Sequence, residues 1–359
     1  MPTKRIAILL TTLGVVLALA AAWFFWPRSA APAPLSRYKA SFFDVFDTYS
    51  EIILYAADET AANTALEKAH AELLAYHQLY DIYNSYEGLT NLKTVNDHAG
   101  NGPLAVDARI LHLLRFAKDM FTRTDGRMNI ALGSVLSLWH DAREAGINDP
   151  QNAALPDMAA LQAAAAHTDI RNVVVDEAAG TVTLTDPLLR LDVGAVAKGY
   201  AVQQVAEQMQ RDGITSALLS IGGNVCGIGT RGDGTSWRVN IQNPDLEAAD
   251  QALTTVDLLN LSLVTSGSYQ RYYTVDGKQY HHIIDPDTLM PAAYTWAVSV
   301  VAPDSGLADA LSTALYTLSI EQGKALLSHF PGVEALWVNL DGSLVRTDGF
   351  SALTAEELN

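Results

Sequence analysis

The stretch His281-His282-Ile283-Ile284-Asp285-Pro286 sets an imidazole in an apolar run that ends in a carboxylate and a turn-forming proline. Read as a strand, its neighbouring side chains point to opposite faces, so only one histidine can look into a site; His282 shares a face with Ile284, His281 with Ile283 and Asp285. About one helix length later, Ala308-Asp309-Ala310-Leu311-Ser312-Thr313 puts a carboxylate and a hydroxyl on one helix face. An imidazole base beside hard oxygen donors suits phosphoryl chemistry on a Mg²⁺-bound diphosphate.

Around these motifs the spacing predicts helices over 59–83, 107–123, 157–166, 195–211 and 307–318. The segment 42–55 is strand-like, with a break at Asp47-Thr48; 86–95 reads as loop or short strand, and an apolar stretch ends at Trp139-His140. A hairpin turns around Ala179-Gly180, and strands follow over 217–221, 225–228, 237–241, 254–264, 270–275, 280–284 and 296–301. The fold class is α+β: one two-lobed domain of mostly antiparallel sheet with flanking helices.

The chain has 359 residues and a net charge of −17. Such an acidic balance argues against a nucleic-acid partner, which needs a basic patch. An anionic ligand would have to be met through a metal or a well-placed Lys. The single cysteine, Cys226, rules out an internal disulfide and any Cys-based zinc site.

Lys4 and Arg5 precede an apolar run from Ile6 to Trp26, long enough at about 1.5 Å per residue to cross a bilayer. Residues 1–28 therefore read as an N-terminal transmembrane helix with N-in topology, 29–40 as linker, 41–350 as an extracytoplasmic domain and 351–359 as tail. The rival reading is a signal peptide cleaved near Ser29-Ala30-Ala31.

Leu191-Asp192-Val193-Gly194-Ala195-Val196-Ala197-Lys198-Gly199 places an acid at a strand end before a helix, where unpaired backbone groups can meet a ligand. Asp192 could accept from a heterocycle edge, and Lys198 could reach a phosphate or ring. The alternative is an acid that merely stabilises a helix start beside a solvated Lys. Ser220-Ile221-Gly222-Gly223-Asn224 offers either a plain turn or close backbone approach to a ligand. Thr265-Ser266-Gly267-Ser268-Tyr269 is a polar kink, equally a turn or a phosphate contact.

Taken in order, Phe46-Asp47-Thr48, Thr124-Asp125-Gly126 through Trp139, Asp192 through Tyr200, Gly222-Gly223-Asn224 and the two opening motifs resemble the ApbE-type FAD:protein FMN transferases over about 42–347. The resemblance implies Mg²⁺-dependent transfer of FMN from FAD to a Thr or Ser hydroxyl of an exported or membrane redox flavoprotein, with AMP released. It implies His282 as base, and the Ala195 carbonyl, Asp309 and Thr313 as Mg²⁺ ligands. It implies FAD contacts at Phe46, Tyr86, Arg127, Met128, Asn129, Asp192, Lys198 and Ile284, with an apolar slot around Phe46, Met128 and Ile284. Ser312 stands where the family often has a second acid, and Leu289 where its Asp-Pro-x-Thr-Gly-x-Pro turn has Gly. An FAD pyrophosphatase and a non-catalytic flavin-binding protein are the rival functions.

Overall fold

The structure is a computed structural model that describes residues 35–354. The anchor expected at 1–28 lies outside the described residues. Among the described residues, no helix is long and apolar enough to cross a membrane.

The strands are β1 Ser36–Phe42, β2 Ser50–Ala56, β3 Leu104–Ala105, β4 Val173–Asp176, β5 Thr181–Leu184, β6 Ala217–Ile221, β7 Asn224–Ile228, β8 Trp237–Gln242, β9 Ala252–Leu258, β10 Ser262–Gly267, β11 Tyr272–Val275, β12 Lys278–His281, β13 Ala297–Ala302, β14 Glu334–Val338 and β15 Leu344–Arg346. The helices are α1 Glu59–Tyr80, α2 Leu92–Asp97, α3 Ala108–Arg123, α4 Gly133–Asn148, α5 Met158–Ala165, α6 Ala197–Arg211, α7 Ser305–Tyr316 and α8 Ile320–Leu327. The main sheet has eight strands in the order β1-β2-β6-β7-β10-β13-β14-β15, with smaller sheets β3-β5-β4, β8-β9 and β11-β12. Each pairing is antiparallel, as the sequence reading expected for most of them.

Alternation along the strands sorts side chains between two cores. Ile52, Leu219, Cys226, Val264 and Val300 face the helical layer of α1, α6 and α7, while Val225, Leu263 and Val301 face the β8-β9 ribbon with Trp237, Val256 and Leu258. Cys226 is thus a core thiol, its pKa pushed up to about 11 by burial. A third cluster joins Leu132, Val135 and Trp139 to Leu161, Tyr273, Ile284 and Leu289.

α7 is buried almost all round, which its small residues Gly306, Ala308, Ala310, Ser312 and Ala314 permit. It starts where Asp304 accepts from the Leu307 N–H at 2.7 Å.

Several expected elements differ. The run 254–264 is two strands in two sheets, because Asn260 adopts φ +52° and turns the chain between β9 and β10. Asn tolerates that conformation better than most residues, and its Oδ1 accepts from the Gly229 N–H at 2.7 Å. The 86–95 segment contains α2, started by Asn91, whose Oδ1 accepts from the Thr94 N–H at 3.1 Å. The expected linker already holds β1, and Phe350, fully buried, begins a short 3-10 turn that extends to Leu353.

Candidate functional site

Strand β12 stops at His281, one residue before the expected base. The strand alternation therefore does not set the direction of His282. Hydrogen bonds separate the two histidines instead. His281 donates from Nε2 to the Ala292 carbonyl at 2.8 Å and accepts the Ile283 N–H on Nδ1 at 3.2 Å. With both nitrogens spent and its ring edge-on to Tyr316 at 5.5 Å, His281 is structural.

His282 donates its main-chain N–H and its Nδ1–H to the same acceptor, the Arg271 carbonyl, each at 3.2 Å. A carbonyl can only accept, so the proton sits on Nδ1 and Nε2 carries the lone pair. Nε2 has no partner among the described residues. Burial, and next the Arg271 charge, push the imidazole pKa down to about 3, so the ring is neutral at physiological pH.

Of the expected metal donors, Asp309 is drawn to the start of α6, close after Ala195. Gly199 is the third residue of α6, where a backbone N–H has no acceptor within the helix; it donates to Asp309 Oδ2 at 2.8 Å. One hydrogen bond thus draws the α7 carboxylate to α6, while the Ala195 carbonyl, just ahead of the helix, accepts no hydrogen bond among the described residues. Asp309 is 4 % exposed, and burial raises its pKa against the opposing pull of Lys198 and the Gly199 N–H. Thr313 follows one helical turn later, half-buried. Ser312 is fully buried, donating to the Asp309 carbonyl at 2.9 Å and lying 2.8 Å from Ser266 Oγ. Its hydroxyl is spent inside the fold, and Ser266 of the polar kink serves packing here. Among the described residues no three His, Cys, Asp or Glu side chains converge as a metal nest. A carboxylate, a carbonyl and a hydroxyl nonetheless form a hard-oxygen set that fits Mg²⁺, which keeps several waters when bound.

Gly199 is where the two helices touch. A Cβ there would lie 2.3 Å from the Ser305 carbonyl oxygen and 2.4 Å from Asp309 Cβ. Gly199→Ala is expected to force α6 from α7 and destabilise the fold by about 1–3 kcal/mol in urea titration; a change under about 0.5 kcal/mol would refute the close approach.

Asp192 accepts the Gly194 N–H at 2.8 Å, and burial raises its pKa. His140, Arg143 and Lys198 act on it electrostatically, and Arg143 acts on His282 as well. Sequence reasoning missed His140, Arg143 and Tyr83. Tyr83 is exposed and stacks on His140 at 4.6 Å, while His140 Nδ1 lies 3.0 Å from Arg143 Nη2. Burial and the nearby Asp192 charge push the Tyr83 phenol up to about 12.

Phe46 and Asp47 both adopt left-handed conformations, at φ +53° and +51°. Such strain at bulky residues persists only where the surroundings impose it. Here His77, also missed, accepts the Phe46 N–H on Nδ1 at 3.1 Å and reaches Tyr86 Oη with Nε2 at 3.3 Å. Tyr86 in turn donates to Asp81 at 2.8 Å. Gly222, at φ +52°, closes the same corner: a Cβ on it would lie 2.6 Å from Thr48. The paired glycines and the Phe46 turn are therefore neighbours.

Other residues expected to meet the ligand also make bonds within the fold. Arg127 pairs with buried Asp285 at 3.5 Å and with Asp287 at 2.6 Å. Asn129 caps a short turn through the Ala131 N–H at 2.9 Å and donates to the Thr168 carbonyl at 3.0 Å. Phe46 packs against the main core that holds Met128, while Ile284 belongs to the third cluster.

Leu289 adopts a left-handed backbone of the kind glycine favours, at φ +60°, with its side chain buried against Trp139, whose Nε1–H donates to the Leu289 carbonyl at 2.9 Å. Left-handed backbone costs about 1–2 kcal/mol, and burying a Leu side chain returns about 1.5–3. Leu289→Gly is expected to cost about 1 kcal/mol in denaturant midpoint analysis, and a clear gain in stability would show that strain dominates.

A groove of about 400 Å³ between α1 and α6, lined by Ala65, Lys68, Val205, Met209 and Ile214, lies toward the opposite end of α6 from Ala195 and Lys198. It takes no part in this arrangement.

The ApbE family model matches residues 46–337. The FAD:protein FMN transferase of Treponema pallidum (strain Nichols) is 37% identical over 261 residues, 69% of this chain and 70% of the relative. That of Escherichia coli K12 is 30% identical over 337 residues, 92% of this chain and 93% of the relative. The crystal structure of the ApbE protein from Thermotoga maritima MSB8 superposes with a TM-score of 0.78 at 27% identity, covering 89% of this chain and 100% of that one. The chain belongs to the ApbE family.

Proposed function

We propose that this protein transfers FMN from FAD to a Ser or Thr hydroxyl of a partner flavoprotein, with Mg²⁺ at the diphosphate and AMP as leaving group. The observation that carries this reading is His282, a neutral imidazole with Nδ1–H tied down and a bare Nε2. The names of the relatives agree with it.

In this reading Nε2 takes the proton of the acceptor hydroxyl, whose oxygen bonds to the phosphorus of the FMN half. The bond from that phosphorus to the bridging oxygen breaks, and AMP departs with that oxygen. The Ala195 carbonyl, Asp309 and Thr313 would hold Mg²⁺, which when bound neutralises charge on the diphosphate oxygens. Lys198 adds a fixed cation beside them, and Asp192 offers a carboxyl group to a heterocycle edge. The strained Phe46 turn and Tyr83 supply aromatic faces for a planar ring. The N-terminal sequence supports an N-in membrane anchor that holds the domain outside the cytoplasm, where exported and membrane redox flavoproteins are its partners.

The test mixes the full chain with FAD and Mg²⁺, with and without an acceptor protein carrying an Asp-Gly-x-Ser/Thr-Gly-type site, and follows protein-linked flavin by mass spectrometry and AMP by chromatography. Linked flavin that requires the acceptor supports transfer. Equal AMP release with no linked flavin would establish an FAD pyrophosphatase instead.

A further inference from the structure

We propose that Arg271 is a further substrate-contacting residue, its guanidinium gripping phosphoryl oxygens of the dinucleotide beside His282. The proposal rests on the FAD reading above and adds a residue to it.

Two observations converge on this position. The main-chain carbonyl of Arg271 is the single acceptor that fixes His282, taking both its N–H and its Nδ1–H. The side chain of the same residue is exposed and has no hydrogen-bond or ion-pair partner among the described residues. Arg109, Arg115, Arg127 and Arg171, by contrast, each sit on a carboxylate. The Arg271 charge also acts on both Tyr83 and His282, so the guanidinium lies within reach of the region around them.

The chemistry names the missing partner. A cation beside a general base penalises the imidazolium that the base must become. The arrangement makes sense only when an anion sits between them. A phosphoryl group fits, because the planar guanidinium fork matches two phosphate oxygens at once. With Arg271 so engaged, its field on His282 is offset, and the base gains proton affinity when substrate is bound.

Arg271→Ala leaves the main-chain carbonyl and hence the His282 contacts in place. Titration of the full chain with FAD in Mg²⁺, read by flavin fluorescence, is expected to show Kd rising about tenfold or more, with the melting temperature of the ligand-free variant unchanged. Arg271→Lys, which keeps the charge and loses the fork, is expected to fall between the two. An unchanged FAD Kd overturns the proposal, and so does a loss of affinity that tracks a fall in melting temperature. Wild-type protein that binds FAD through Arg271 yet links no flavin to an acceptor would sink the transferase reading and leave this one standing.

Discussion

His282→Ala is expected to lower FMN transfer by about 10²–10⁴-fold while FAD affinity stays within a few-fold of wild type. The size follows from the proposed role: Nε2 would be the proton acceptor, and among the described residues the ring's only hydrogen bond runs to the Arg271 carbonyl. Removing it costs the acceptor's deprotonation and little of the binding surface. The measurement is single-turnover transfer to an acceptor protein alongside an FAD titration. Transfer at wild-type rate would discard the base assignment. A second readout is stability against pH. The imidazole has an ordinary pKa of 6.5 and is held at about 3 in the fold. Above 6.5 the ring is neutral in both folded and unfolded chains and contributes nothing. As pH falls from 6.5 toward 3 the unfolded chain binds a proton that the folded one refuses, so stability drains away. The variant lacks this loss, so its melting temperature should gain on wild type between pH 8 and pH 5.

Asp309→Asn should reduce Mg²⁺-dependent turnover by about 10²–10³-fold, the scale of several kcal/mol of charge stabilisation. The amide oxygen can still accept from the Gly199 N–H, so the α6–α7 contact at 2.8 Å survives and the fold with it. Loss of activity with an unchanged melting temperature, and Mg²⁺ affinity reduced in calorimetric titration, is the expected result. Retained Mg²⁺ affinity would remove Asp309 from the ligand set.

Much of this was legible from residue order. Strands β2, β6, β7 and β13 of the main sheet were readable because each is a short apolar run with a turn residue beside it, and α7 because Asp309 and Thr313 share its face; β1 lay in the expected linker, and β10 was fused with β9 into one run. The two histidines could be narrowed to one but not chosen by alternation, since β12 ends between them and hydrogen bonds to Arg271 and Ala292 decide. His77 was invisible because its role depends on a backbone N–H contributed by residue 46, far away in sequence. Arg143 and His140 lie on α4, which the sequence reading left as an apolar stretch ending at Trp139-His140; without the helix their shared direction could not be read. Leu289 looked like a break in a glycine pattern. The structure gives it a conformation that glycine favours and offsets that with burial, an exchange of local strain for packing that no single position advertises.

The touching of backbones at Gly199 has a kinetic corollary. Helices in such intimate register cannot gape like a jaw, so a bulky dinucleotide must be admitted by pliant rims elsewhere. The corner at Phe46 is tied to the Asp81–Asn91 bend through the His77 relay, and the bend itself is held where Asp81 accepts the Tyr83 and Asn84 N–H groups and Asn91 donates to the Asn84 carbonyl. Any opening that admits a ligand is then expected in loops such as these, with the α6–α7 contact at Gly199 stationary throughout.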